Sequence, residues 1–125
     1  MKILNLFVGT ALAVAAVMVL RAPTAPPQGN LWFDAVIARE SRPVVVKFGA
    51  DWCGPCHHMD GVLDQYSSSR VKVVRIDIDE KPELAEHFGV HTIPRVFLFK
   101  NGYAVASHGG FGNVQQLESW VNSRL

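Results

Sequence analysis

The sequence predicts an α/β layer fold: a central mixed β-sheet flanked by helices and preceded by a separate N-terminal hydrophobic helix. Three observations predict it. Val44-Val45-Val46-Lys47-Phe48 is a short β-branched run of the kind that forms a strand buried on both faces. Asn101-Gly102 stands between two apolar runs, residues 96–99 and 103–107, a strong hairpin signal. The segments around these runs carry apolar residues at helical spacing, which gives the order αβαβαββα.

From the N-terminus, Lys2 is followed by an apolar run, residues 3–20, broken only by Asn5, Gly9 and Thr10 and closed by Arg21. As a helix it would be about 27 Å long, close to the hydrocarbon thickness of a bilayer. It has no polar face and stands outside the periodic part of the chain, so a buried core helix is the weaker reading. Ala11-Leu12-Ala13 and Ala13-Val14-Ala15 have the small-residue pattern of a signal cleavage site, but they lie inside the run. Beyond it, Pro23 and Pro26 follow Ala22 and Ala25 and make poor sites. Residues 1–21 are therefore expected to be a signal anchor that touches the membrane through residues 3–20, with a cleaved signal peptide as the alternative. The positive N-terminus with Lys2 outweighs Arg21, which keeps that end inside and turns the domain toward the exported side, such as a bacterial periplasm. Cleavage would instead give a soluble secreted or periplasmic form.

Residues 22–29 hold three prolines and read as a semi-rigid extended linker. The folded domain is expected over residues 30–125. Asn30 suits an N-cap for a helix over residues 31–40, in which Leu31, Ala35 and Ala38, and Trp32 and Val36, fall at helical spacing. After the strand at residues 44–48, a helix starts at the cysteines and runs to about Tyr66, ending at Ser67-Ser68-Ser69. A second strand is expected at residues 71–78. A short helix at residues 83–88 is closed by Gly89, a suitable C-terminal cap. Phe97 and Phe99 are core by alternation, and residues 114–125 form an amphipathic helix with Leu117, Trp120 and Val121 on one side.

A net charge of +1 with no run of Lys or Arg gives no electrostatic footprint for nucleic acid. The chain holds two cysteines, Cys53 and Cys56. A structural disulfide closing so small a loop would remove little denatured-state entropy, so redox chemistry or ligation of a metal or haem explains the pair better. Cys53-Gly54-Pro55-Cys56-His57 fits the covalent haem pattern, with His87 or His91 available as a second axial ligand. However, no methionine follows Met59 and the β-rich segments do not suit a small helical cytochrome. Zinc could draw on His87 and His91, but their interval from Cys56 is about twice that of a compact finger, and His57 and His58 point different ways on a helix. The plainer reading makes His57 and His58 a solvated helix flank and His87, His91 and His108 surface or loop residues. No metal or cofactor is expected.

Two cysteines at i and i+3 at a helix start lie on one face, close enough to bond. Cys53, at the exposed end, gains from the positive end of the helix dipole, which stabilises a thiolate and makes it the expected nucleophile; Cys56 then resolves the mixed disulfide. Gly54 lets a client backbone approach, and Pro55 is tolerated in a first turn that has no N–H bond to lose. Trp52 reads as a flat docking surface beside the nucleophile, and Asp51 as a solvated loop acid.

Trp52-Cys53-Gly54-Pro55-Cys56 after a hydrophobic strand, Thr92-Ile93-Pro94 before a second one and Phe99-Lys100-Asn101-Gly102 at a hairpin together resemble the thioredoxin family over residues 30–125. The resemblance implies a thioredoxin fold and a protein-disulfide oxidoreductase. Its partners would be protein thiol or disulfide clients and a further redox partner protein that resets the site. It also implies that Pro94 is a cis-proline beside the cysteines, where the backbone of Ile93 pairs with an extended client. The Gly54-Pro55 dipeptide is similar to that of the reducing members. Four departures stand beside the matches. Lys47 occupies the place of the family's buried acid, six residues before Cys53. Arg75 stands where a partner lysine is common, Gly61 replaces the kink proline, and the first strand of the larger fold is missing. Lys47 is expected to make the site less reducing, and Arg75 to add to that effect. A non-enzymatic interaction module on the same fold is the other functional reading.

Overall fold

The β-branched run becomes β1, Val44–Gly49, with every residue buried. The computed structural model describes residues 22–125; the apolar run at residues 3–20 lies outside them. Around β1 stand β2 (Lys72–Asp77), β3 (Arg95–Lys100) and β4 (Tyr103–His108), in the spatial order β2-β1-β3-β4. β2 pairs with β1 in parallel, whereas β3 and β4 are antiparallel, so the sheet is mixed. The central place of β1 explains its unbroken apolar sequence, since both of its faces are covered.

Four helical segments flank the sheet: α1 at residues 31–38, α2 (Gly54–Gln65), α3 (Pro82–His87) and α4 (Val114–Asn122). Alternation along β1 divides the core. Val44, Val46 and Phe48 join Phe33, Ile37, Leu84, Phe88, Phe97 and Phe99 on one face, while Val45 meets Met59, Val62, Leu63, Leu98, Leu117 and Val121 on the other. Phe88 is the hub of the first face, with its ring 5.0 Å from that of Phe99 and 5.5 Å from that of Phe33. No helix among the described residues is long and apolar enough to cross a membrane.

The local signals act as expected at several turns. Asn30 caps α1, its Oδ1 accepting from Phe33 N at 2.8 Å. Asn101 and Gly102 take positive φ values of 52° and 83°, the backbone that a two-residue hairpin turn requires. Gly89, at φ 65°, closes α3.

The face of α1 matches the expected one in part: Trp32, Val36 and Ala38 pack against the core, but the residues buried most deeply are others. Leu31 is 82% exposed, while Phe33 and Ile37 are fully buried. After one α-helical turn, Leu31–Phe33, the segment widens into a π-helical turn, Asp34–Ala38, closed by the bond from Arg39 N to Asp34 O at 3.0 Å. A wider turn changes which side chains share a face, so a spacing set by 3.6 residues per turn finds the flanks of the buried stripe and misses its centre. The proline segment also lies against the fold. Thr24 N donates to Ala104 O at 3.1 Å and Ala104 N to Thr24 O at 2.9 Å, forming an antiparallel bridge on the outer side of β4. Among the described residues no strand precedes α1 in the sheet.

Candidate active site

β1 ends at Gly49, and the chain turns through residues 50–53 into α2, so the cysteines sit beyond the C-terminal edge of the central strand. Cys53 is the N-cap of α2, extended at φ −96° and ψ 108°, and its Sγ accepts from the Cys56 backbone N–H at 3.2 Å. The sulfur therefore occupies the place of a capping oxygen, facing the free N–H groups and the positive end of the helix dipole. Pro55 lies in the first turn, where its missing N–H costs nothing. Cys53 and Cys56 are bonded to each other, with Cα atoms 5.2 Å apart. Cys56 is the deeper of the two, at 1% exposure against 6%. A methyl group on Gly54 would meet nothing within 4 Å, so the approach to the disulfide over this residue is open.

Trp52 is 70% exposed, which removes it from the core, and its Nε1 donates to Asp79 Oδ2 at 2.8 Å. Ile93–Pro94 is a cis peptide, and Ile93 packs beside Ala50, Cys53 and Cys56. Pro94 lines a cleft of about 300 Å³ with Pro55, His58, Met59, Gly110 and Phe111. Gly110 belongs there for a backbone reason: its φ is 121°, and a methyl group on it would lie 3.3 Å from Pro94 Cγ.

The two histidines after Cys56 are exposed, as expected of a solvated flank, and each also meets a backbone carbonyl. His57 Nε2 lies 2.7 Å from Asp51 O, and His58 Nε2 lies 3.1 Å from Gly112 O. A carbonyl oxygen only accepts, so in both rings Nε2 carries the proton. Through these bonds the first turn of α2 is tied to the preceding loop and to the loop before α4. His87 Nε2 instead meets Ala25 O at 2.7 Å, away from the cysteines. Among the described residues no group of three or more His, Cys, Asp or Glu is placed to hold a metal ion.

Beneath the cysteines the expected cationic pair is present, with an addition. Lys47 and Arg75 are direct register partners on β1 and β2. Like charges side by side on neighbouring strands repel. Asp60, from α2, lies between them: its Oδ1 takes Lys47 Nζ at 2.5 Å and Arg75 Nε at 3.1 Å, and Arg75 Nη2 continues to Asp64 Oδ1 at 2.7 Å. The acid absent from β1 is thus supplied by the helix. Burial pushes the Asp60 carboxyl up, but the hydrogen bonds and charges of Lys47 and Arg75 outweigh it and hold the group below the ordinary carboxylate value. Sequence reasoning missed Asp60, although its position four residues after Cys56 puts it on the same helix face.

A bonded Cys-x-x-Cys pair capping a helix at the end of a central strand, with a cis-proline beside it, defines a disulfide oxidoreductase of the α/β layer class. The family model described as Thioredoxin matches residues 27–123, and the chain belongs to the thioredoxin family. It is 34% identical over 96 residues to the thioredoxin of Rickettsia bellii, an alignment covering 74% of this chain and 91% of that one. It is 33% identical over 96 residues to the thioredoxin of Haemophilus influenzae, covering 74% and 90%. The thioredoxin of Alicyclobacillus acidocaldarius is 40% identical over 81 residues, covering 62% and 77%.

Proposed function

We propose that this chain is a membrane-anchored reductase of protein disulfides whose domain faces the exported side. In the reduced form Cys53, as thiolate, attacks one sulfur of a client disulfide. A client thiolate leaves and takes up a proton. Cys56 then loses its proton and attacks Cys53 Sγ, forming the Cys53–Cys56 disulfide and releasing the second client thiolate. The client gains two electrons and the protein loses two, and a separate redox partner protein returns them. Trp52 gives the client a flat surface, Gly54 leaves room for its backbone, and the backbone of Ile93 beside Pro94 pairs with it.

The observation that carries the reading is the cap: Cys53 Sγ accepts the Cys56 N–H at the start of α2, where a thiolate gains most from the helix. Gly54-Pro55, similar to the dipeptide of the reducing members of the family, favours the reducing direction. The anchor rests on the apolar run at residues 3–20 and the prolines after it, and the orientation on Lys2.

Trapping tests the roles of the thiols. Cys56→Ser should accumulate mixed disulfides with client proteins through Cys53, and accumulation by Cys53→Ser alone reverses the assignment. Alkaline carbonate extraction tests the anchor: the chain should stay with membranes, and a soluble mature form starting near Val14 or Pro23 refutes it.

A further inference from the structure

Lys47 is the one buried charged side chain among the described residues, at 6% exposure. Its ammonium lies close under the redox pair. A methyl group placed on Gly49 would sit 3.1 Å from Lys47 Nζ and 3.2 Å from Cys56 Sγ, so nitrogen and sulfur are no farther apart than those two lengths laid end to end. The other ionisable groups lining this polar cleft are Asp60 and His57 of α2, Arg75 and Asp77 of β2, and Asp51 and Glu80 of the flanking loops. From β3, the residue opposite Lys47 is the apolar Val96. Asp60 alone of these carboxylates bonds Lys47, and it bonds Arg75 through the same oxygen.

We infer that Asp60 is a positioning residue for the disulfide exchange proposed above: it clamps the Lys47 ammonium beside Cys56, so that Lys47 stabilises the Cys56 thiolate. The geometry, and the direction in which its neighbours push the Asp60 carboxyl, support a fixed clamp over a proton shuttle. Asp60 is shared between two cations, and its carboxyl is held below the ordinary range, which makes it a poor match for a thiol proton. Without Asp60, a desolvated ammonium would face the Arg75 guanidinium with no anion between them. The lysine stem is then free to carry its ammonium away from Cys56 toward solvent.

The test follows the resolving step in the full chain. Reduced protein is treated with a symmetrical aromatic disulfide whose thiolate is coloured, so that Cys53 takes one half as mixed disulfide and the other half leaves, and the release of the second half by Cys56 is timed across pH. In the parent the rate should follow a single ionisation, that of Cys56. Asp60→Asn should slow release at neutral pH by about tenfold, the effect of one unit of thiol pKa, with recovery as pH rises. In a Lys47→Met background the same substitution should change the rate less than twofold, and Asp60→Glu should restore the parent profile. An unchanged or faster release in Asp60→Asn overturns the clamp, as does an equal effect with Lys47 already replaced. If Asp60→Asn does not fold, Lys47→Arg and Lys47→Met decide: the permanent cation should keep the parent profile and the neutral residue should shift it, and equal behaviour overturns the inference. A parent that forms no Cys53 mixed disulfide, or never releases it, refutes the oxidoreductase reading itself and not the clamp alone.

Discussion

Replacing Lys47 by aspartate reverses the charge beneath the redox pair, and the structure sets the size of the effect. At about 6 Å and an effective dielectric of about 20, a lone ammonium favours a thiolate by about 3 kcal/mol. Asp60 sits against that ammonium and opposes it, leaving a net contribution on the order of 1 kcal/mol at an effective dielectric of this size. An aspartate is shorter and can draw on Arg75, so the full swing for Lys47→Asp is about 2 kcal/mol, or roughly 40 mV for a two-electron couple. The sign follows from which form is stabilised. A cation lowers the free energy of the thiolate, which exists only in the reduced protein, so Lys47 makes the couple more oxidising and Lys47→Asp should make it more negative. The shift is expressed where the thiolate is populated, and it should grow as pH rises toward about 8.5 and beyond. Equilibration with glutathione across pH, with the Cys53–Cys56 disulfide quantified after acid quench, measures it. A potential that stays within error of the parent at every pH, or moves positive, refutes the reasoning.

Two further outcomes are expected. Phe88→Ala should cost about 3–5 kcal/mol in denaturant unfolding, because it removes the ring on which Phe33, Phe48, Phe97 and Phe99 converge; a loss below about 1 kcal/mol would contradict the packing. Asp60 should contribute to the acid limb of stability. Its folded pKa lies below the ordinary value of 3.8, so its contribution is fully present above that pH and is lost as pH falls through the lower folded value. Acid titration of Asp60→Asn should show a shallower fall in stability over that window, and an unaltered slope would count against the ion pair.

The elements that speak through local chemistry were legible in the sequence. Asn101-Gly102 can adopt positive φ cheaply, and Asn30 can accept from the helix it precedes, whatever the rest of the chain does. The cysteine pair was equally plain, since its meaning lies in a spacing of three. What escaped depends on neighbours distant in sequence. The π-helical turn in α1 places Phe33 and Ile37 against the core and leaves Leu31 in solvent, and no periodicity within the segment encodes that choice. The carbonyl partner of His58 lies 54 residues away, so the ring reads as a solvated flank from its own surroundings. Asp60 was the closest miss. Helical arithmetic puts Cys56, Asp60 and Asp64 on one stripe of α2, but only the parallel register of β1 and β2 brings Lys47 and Arg75 under that stripe.

The bridge between Thr24 and Ala104 bears on the open edge of the sheet. β4 is the last strand of the sheet, and the outward N–H and C=O of Ala104 would otherwise be free to pair with another chain. Thr24 takes up both groups, and the flanking Pro23 and Pro26 have no N–H to offer a further strand. Its hold is reinforced from α3, where His87 meets the carbonyl of Ala25. The proline stretch therefore acts as a selvedge as much as a spacer. A domain cut free at Asn30 would keep its cysteines and its core but leave the outward N–H and C=O of Ala104 unpaired on the edge strand.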